Sequence, residues 1–400
     1  MTYTLLSSIF YSDNSSYEDL YKKRINSEST YHFNFKIEDY KSFVVINHDI
    51  LQKAYKIMEL DKELLIKMNS VPKIALNQYA KSCLIDEIKM TNEIEGVNST
   101  RKEINDILND KTEKNKSKRL YGLVKKYEML LNEDMNINIC TDIRSLYDEL
   151  VLKEVVDEDE KNYPDGSIFR KDKVFVQSPT GKVIHTGIYP EDKIIDSMAE
   201  SLNILNNENY NFLIRIAIFH YMFGYIHPFY DGNGRTSRFL SSYLLSRKLQ
   251  VLVSYRISYT IKENINSYYK SFKIANDPKN RGDLTAFVIR FFDIIIESLE
   301  DLCSSLSQRH DKLKYFTDLT DKICSDDKNR KTILFILVQN SLFGDNGLSV
   351  EEIQTISKLS PSKIRSCLKL LEANGFLRIE KDSRRKLYDV DLDKISEFEL

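Results

Sequence analysis

Twelve glycines and seven prolines are all that this 400-residue chain has to turn with. So few backbone breakers disfavour a turn-rich all-β design and favour helices. Six of them crowd into residues 158–190: Pro164, Gly166, Pro179, Gly181, Gly187 and Pro190. That stretch also holds two β-like runs, 173–177 and 182–186, around a Ser-Pro-Thr-Gly turn at 178–181. The spacing predicts a hairpin or flap there.

Elsewhere the apolar residues recur at helical spacing. Helices are expected over 46–68, 74–93, 120–131, 141–152, 191–205, 211–225, 235–248, 258–275 and 283–308. Thr100 stands at capping-box spacing from Glu103, which marks a short helix within 98–109. Residues 15–60 are polar and rich in Tyr and Lys, and are expected to form an irregular lead-in with one or two helices. Residues 110–118 resemble an exposed connection, and 326–329 a polar break.

Composition excludes several classes. Apolar residues make up 42%, enough for a substantial core, and the length suggests roughly two or three domains. The 58 basic and 60 acidic side chains nearly cancel, so no global attraction to polyanions is expected. The cysteines, Cys83, Cys140, Cys303, Cys324 and Cys367, form no C-x-x-C pair, which argues against a cysteine zinc site and suits a reducing compartment. The first 13 residues lack the basic flank and apolar core of a signal peptide. No apolar run approaches ~18 residues. A soluble, cytoplasmic protein with no membrane segment is expected.

The segment His227-Pro-Phe-Tyr-Asp-Gly-Asn-Gly-Arg-Thr-Ser-Arg238 concentrates chemistry. Gly232 and Gly234 permit unusual backbone conformations, and with Asn233 they can present successive N–H groups as an anion nest. The loop opens into a helix, whose N-terminus adds positive potential. Arg235 and Arg238 are three apart, so they are expected to share a helix face and grip a polyphosphate. Asp231 is a hard oxygen ligand suited to Mg2+ held jointly with phosphates. His227, titrating near neutrality, can take a proton from a hydroxyl. Together these describe phosphate-ester transfer from a nucleotide.

At these residues the sequence resembles the Fic family, whose pattern is H-P-F-x-[DE]-G-N-G-R-x-x-R; every fixed position is matched. The resemblance implies an α-helical Fic fold and transfer of AMP from ATP to a Ser, Thr or Tyr hydroxyl of a target protein. It makes His227 the base and Asp231 the Mg2+ ligand. It also makes Gly232, Asn233, Gly234 and Arg235 phosphate contacts, Asn233 partly through its side chain, and Arg238 the seat of the γ-phosphate. Tyr269 and Asn276, seven apart on one helix face, resemble the family's nucleoside-contacting pair. The flap at 173–187 occupies the place of the hairpin that docks targets by strand addition. Released enzymes of this kind often modify themselves.

Upstream, Thr91-Asn-Glu-Ile-Glu95-Gly96 resembles the family's inhibitory motif, [ST]-x-x-x-E-[GN], at the end of a helix of about 76–96. Gly96 suits a C-cap, and a carboxylate at Glu95 can pair with Arg238 and deny it to the γ-phosphate. Thr91 would hold the helix end by a hydrogen bond. Glu95 could equally serve removal of AMP, and the sequence leaves that open.

The tail reads as a winged helix. Ser349 and Glu352 form a capping-box pair, a second helix spans 361–373, and strands are expected at 376–380 and 386–390. Lys363, Arg365, Lys369, Arg384, Arg385 and Lys386 could face DNA, but residues 326–400 hold 13 basic and 13 acidic side chains, so DNA is possible and not favoured. The fold class expected is mainly α: a Fic helical core with a β-hairpin flap, plus a C-terminal winged helix-turn-helix domain. The division expected is 1–130 N-terminal helical, 131–308 catalytic, 309–329 linker and 330–400 winged helix. Alternatives are transfer of another nucleotide, AMP removal, or a nucleotide-sensing DNA-binding regulator. A homodimer is possible.

Overall fold

The computed structural model describes residues 3–110, 118–130, 132–177, 183–382 and 385–399. The chain opens with α1 (Leu6–Ser12), α2 (Asn14–Ile25) and a hairpin of β1 (Thr30–Ile37) and β2 (Tyr40–Val45). Then come α3 (His48–Ser70), α4 (Lys73–Ile94), α5 (Arg101–Leu108), α6 (Tyr121–Met129) and α7 (Cys140–Tyr147). A π-helical stretch, Asp148–Leu152, joins α7 to α8 (Lys153–Glu158). The flap, β3 (Phe175–Gln177) and β4 (Val183–Thr186), precedes α9 (Glu191–Asn206), α10 (Phe212–Ile226) and α11 (Asn233–Ser246). Short helices α12 (Val251–Ser254), α13 (Ile257–Glu263) and α14 (Ile265–Ala275) lead into α15 (Thr285–Ile323). The tail is α16 (Lys328–Phe343), α17 (Val350–Ser357), α18 (Pro361–Ala373), β5 (Leu377–Asp382), β6 (Arg385–Val390) and α19 (Leu392–Ser396). The fold is mainly α, with each hairpin a two-stranded antiparallel sheet. Among the described residues no helix is long and apolar enough to cross a membrane.

Two compact units emerge, one of Met1–Asp61 with Leu84–Glu300, the other of Lys62–Cys83 with Asp301–Leu400. The core of the first is built on α10, which is apolar all round and buried from Leu213 to Ile226 except at Arg215 and Gly224. A helix of that composition must be covered on every side. It lies against α9 and α11. Its one buried imidazole, His220, is satisfied by Ser241 and Tyr268, each at 2.8 Å. Burial pushes His220 down to about 3, so it is a neutral structural histidine.

Several expectations change. The irregular lead-in contains the β1–β2 hairpin, in which Phe33, Phe35 and Ile37 are buried and Asn34 and Lys36 exposed. That alternation was readable, but the surrounding Lys and Tyr masked it. The helix at 258–275 is two helices, broken where the Asn264 side chain bonds the Thr260 carbonyl and the Glu297 carboxylate. The helix at 283–308 runs to Ile323, through most of the segment expected as a linker, because buried Leu306, Leu313, Phe316 and Leu319 continue its apolar face. Thr100 does cap α5, accepting from Glu103 N at 3.1 Å, but the Glu103 carboxylate pairs with Arg119 instead of closing the box. In the second unit the Ser349–Glu352 capping box is complete, with both bonds formed. The turn at 178–181, Lys182 and Arg384 lie outside the described residues.

Candidate active site

The 227–234 loop joins α10 to α11, and each bend has a local cause. His227 ends α10 in the left-handed region, φ 53° and ψ 64°, with its N–H on the Phe223 carbonyl. Phe229 drops into the core, fully buried, and stacks on Tyr147 with ring centroids 3.6 Å apart. The Asn233 side chain closes the loop on itself. Its Oδ1 accepts from Phe229 N at 3.0 Å and its Nδ2 donates to the Phe229 carbonyl at 2.8 Å. Gly232, at φ +76°, caps α11; a Cβ there would press on Val151 and Tyr147.

These elements open on a cavity of about 160 Å³ lined by His227, Asn233, Gly234, Arg238, Glu95, Tyr269 and Asn276 among others. His185, from the flap, lines it too, its Nε2 at 2.6 Å from the Tyr225 carbonyl. Thus seven residues singled out in the sequence meet around one space. Tyr269 is about half exposed, and Asn276 accepts from Tyr221 Oη at 2.7 Å. Burial raises the Tyr269 phenol, so it stays protonated.

His227 departs from the near-neutral titration expected. Burial first, then the Arg170 cation, push its imidazole down to about 4. It is therefore unprotonated at neutral pH and able to accept a proton.

The two arginines also part company. Arg238, at 2% side-chain exposure, donates to Glu95 Oε1 at 2.7 Å, to Thr91 Oγ1 at 2.8 Å and to the Thr91 carbonyl at 3.0 Å. Arg235 is not in the cavity lining. It is fully buried and paired with Glu154, 3.0 Å away. Residues three apart on a helix sit about 60° apart, and at the first turn of α11 that angle carries Arg235 towards α8. Asp231 likewise lies outside the cavity lining; its Oδ1 accepts from Gly232 N at 2.6 Å and its carbonyl from Tyr147 Oη at 3.1 Å.

Glu95 owes its place to the end of α4. Val97 N bonds the Asn92 carbonyl and Gly96 N the Glu93 carbonyl, with Gly96 at φ +76°: a Schellman cap. From there α4 runs antiparallel to α11 with matched four-residue steps. Glu95 meets Gly234 and Arg238, Thr91 meets Arg238, and Glu87 meets Ser242 at 3.4 Å. A Cβ at position 234 would collide with the Glu95 carboxylate. Glu87 is fully buried and also accepts from Ser258 N at 2.8 Å; burial raises it to about 7.

Arg170, Glu87 and Glu154 escaped sequence reading. Only the last two left a trace, as carboxylates set among buried apolar neighbours on their helices.

A neutral histidine, a glycine-rich helix N-terminus and a buried arginine that share one cavity can chemically receive a phosphate ester. Residues 140–245 match the family model described as Fic/DOC family. The protein adenylyltransferase Fic of Drosophila mojavensis is 37% identical over 141 residues, 34% of this chain and 25% of that protein. That of Drosophila melanogaster is 33% identical over 138 residues, again a quarter of its length. The chain thus spans about a quarter of these relatives. A Fic family protein from Desulfovibrio desulfuricans G20 shares the fold, with a TM-score of 0.51, 19% identity, 86% of this chain covered and 97% of that one.

Proposed function

We propose that the protein transfers AMP from ATP to a hydroxyl side chain of a target protein. One observation carries this: His227, Gly234, Arg238 and Tyr269 line a single cavity. In this reading the unprotonated His227 takes the proton of the attacking hydroxyl. Backbone N–H groups of Asn233 and Gly234, at the N-terminus of α11, receive the phosphates, Gly232 shapes the turn before them, and Arg238 seats the terminal phosphate. Tyr269 and Asn276 hold the nucleoside. Arg235, turned to Glu154, supports the loop from behind. The target lies along the flap, and residues 330–400 form a winged-helix module for protein contacts.

The donor set suits Mg2+. Among the described residues no cluster of three or more acidic, His or Cys side chains forms a dedicated cage, and Asp231 offers one carboxylate beside the nest. Mg2+ commonly binds through one or two carboxylates with phosphates and water. Asp231 would hold it, and the ion would neutralise phosphate charge.

The pairing of Glu95 with Arg238 supports a brake, since a guanidinium occupied by a carboxylate is withheld from a phosphate. The test is the intact mass of the protein after incubation with Mg2+ and ATP. Wild type, Glu95→Gly and Glu95→Gly with His227→Ala are compared. An AMP adduct on Glu95→Gly that the double variant lacks is expected. Failure of Glu95→Gly to bind ATP would sink the adenylyl reading, and UTP, GTP and CTP would then be tried in its place.

A further inference from the structure

Arg170 is buried completely. An arginine so far from water ordinarily pairs with a carboxylate. Among the described residues its guanidinium bonds run to backbone carbonyls. Nε donates to His227 O at 2.8 Å. Nη2 donates to Ile188 O at 2.9 Å and Ile226 O at 3.4 Å, and Nη1 to Asp172 O. Asp172 and Ile188 flank the flap, Ile226 ends α10, and His227 follows it. One planar fork therefore spans the root of the hairpin and the residue carrying the imidazole.

We infer that Arg170 is a positioning residue that couples the flap to the base His227, an assignment that rests on reading His227 as the base. Three backbone bonds reinforce the same junction: Arg170 N to Pro228 O, Gly187 N to Val174 O and Ile188 N to Ile226 O. His227 sits at φ 53°, a conformation that a residue with a side chain adopts against local preference. The carbonyl that Arg170 grips belongs to His227 itself, so the guanidinium fixes the peptide on which the imidazole is mounted. Gly187 makes room for this arrangement, because a Cβ there would collide with Nη2 and come within 3.1 Å of His227 Cβ. The Arg170 charge also helps keep the neighbouring imidazole free of a proton. Lysine cannot replace this fork, since its ammonium is a point charge. A target strand added to the flap would thus press on the same guanidinium that orients the base.

The test uses the full chain carrying Arg170→Lys or Arg170→Met, each with and without Glu95→Gly. Histidine C–H resonances are followed by NMR over about pH 3 to 8, with His227→Ala assigning its signal among the six histidines. Arg170→Met removes the cation and is expected to raise the His227 midpoint. Arg170→Lys keeps the charge and is expected to leave it low. In the Glu95→Gly background both should slow adduct formation at saturating ATP by about 10- to 100-fold, with half-saturating ATP changed by less than about 2-fold. Either an unmoved His227 midpoint in Arg170→Met or an unslowed Arg170→Lys overturns the inference. Should circular dichroism show Arg170→Met unfolded, Arg170→Lys decides. The titration needs no turnover, so Glu95→Gly making no adduct with Arg170 intact counts against the transfer reading and not against this one.

Discussion

The carboxylate of Glu95 lies 2.7 Å from the guanidinium of Arg238, and the two are unequally exposed: 27% for the glutamate side chain, 2% for the arginine. A pair with one half-open member is easier to exchange than a sealed one. Glu95 stands on a C-cap at the end of α4, so it can leave without unpacking the core. Thr91 holds Arg238 in the same arrangement, through its hydroxyl and its carbonyl.

Thr91→Val keeps the shape of the side chain and removes the acceptor for Arg238 Nε at 2.8 Å. Losing one such bond to a charged group weakens the seam by about 1.5–3 kcal/mol. Adduct formation is expected to rise above wild type and remain below Glu95→Gly, measured as a time course of intact mass. A rate equal to wild type would remove Thr91 from the brake.

Glu87 should make stability depend on pH. Its folded midpoint is raised to about 7 by burial, above the ordinary carboxylate value. The unfolded chain then releases its proton first. Its stabilising contribution is fully present below about pH 4.5 and is lost as pH rises to about 7, after which the difference is level. Tyr127 Oη, Ser242 Oγ and Ser258 N face it from α6, α11 and α13, and Arg238 adds a cation from α11. Wild type should lose Tm relative to Glu87→Gln between about pH 5 and 7. Parallel Tm curves for the two proteins would refute this.

His227 at about 4 predicts where catalysis fails in acid. The imidazole is protonated only below that midpoint, so kcat/KM of Glu95→Gly should show no ionisation of this group near its ordinary 6.5. An acid limb centred near 6.5 and abolished by no other histidine substitution would show that His227 is solvated in the working enzyme.

Glu154→Ala leaves Arg235, whose side chain is 0% exposed, as a buried charge without its partner. Unfolding in urea should show a loss of about 3–5 kcal/mol. Adding Arg235→Met should recover much of it, because an apolar side chain of similar length needs no counter-charge. No recovery would mean that Arg235 contributes chiefly through its shape.

Sequence alone determined what was local. Five of the twelve consecutive residues from His227 to Arg238 line the cavity, and the helix periods and the Ser349–Glu352 cap depend on near neighbours in the chain. Glu95 was legible because a helix end and its capping glycine are adjacent. The tertiary structure alone decided the rest. It sent Arg235 to Glu154 and Arg238 to Glu95, though the two arginines share one helix. It also set Glu87 against Ser242, 155 residues away, and Arg170 against His227, 57 residues away. A buried charge is placed by whatever dipoles and counter-charges the fold brings to it, and these come from elements that no local pattern connects.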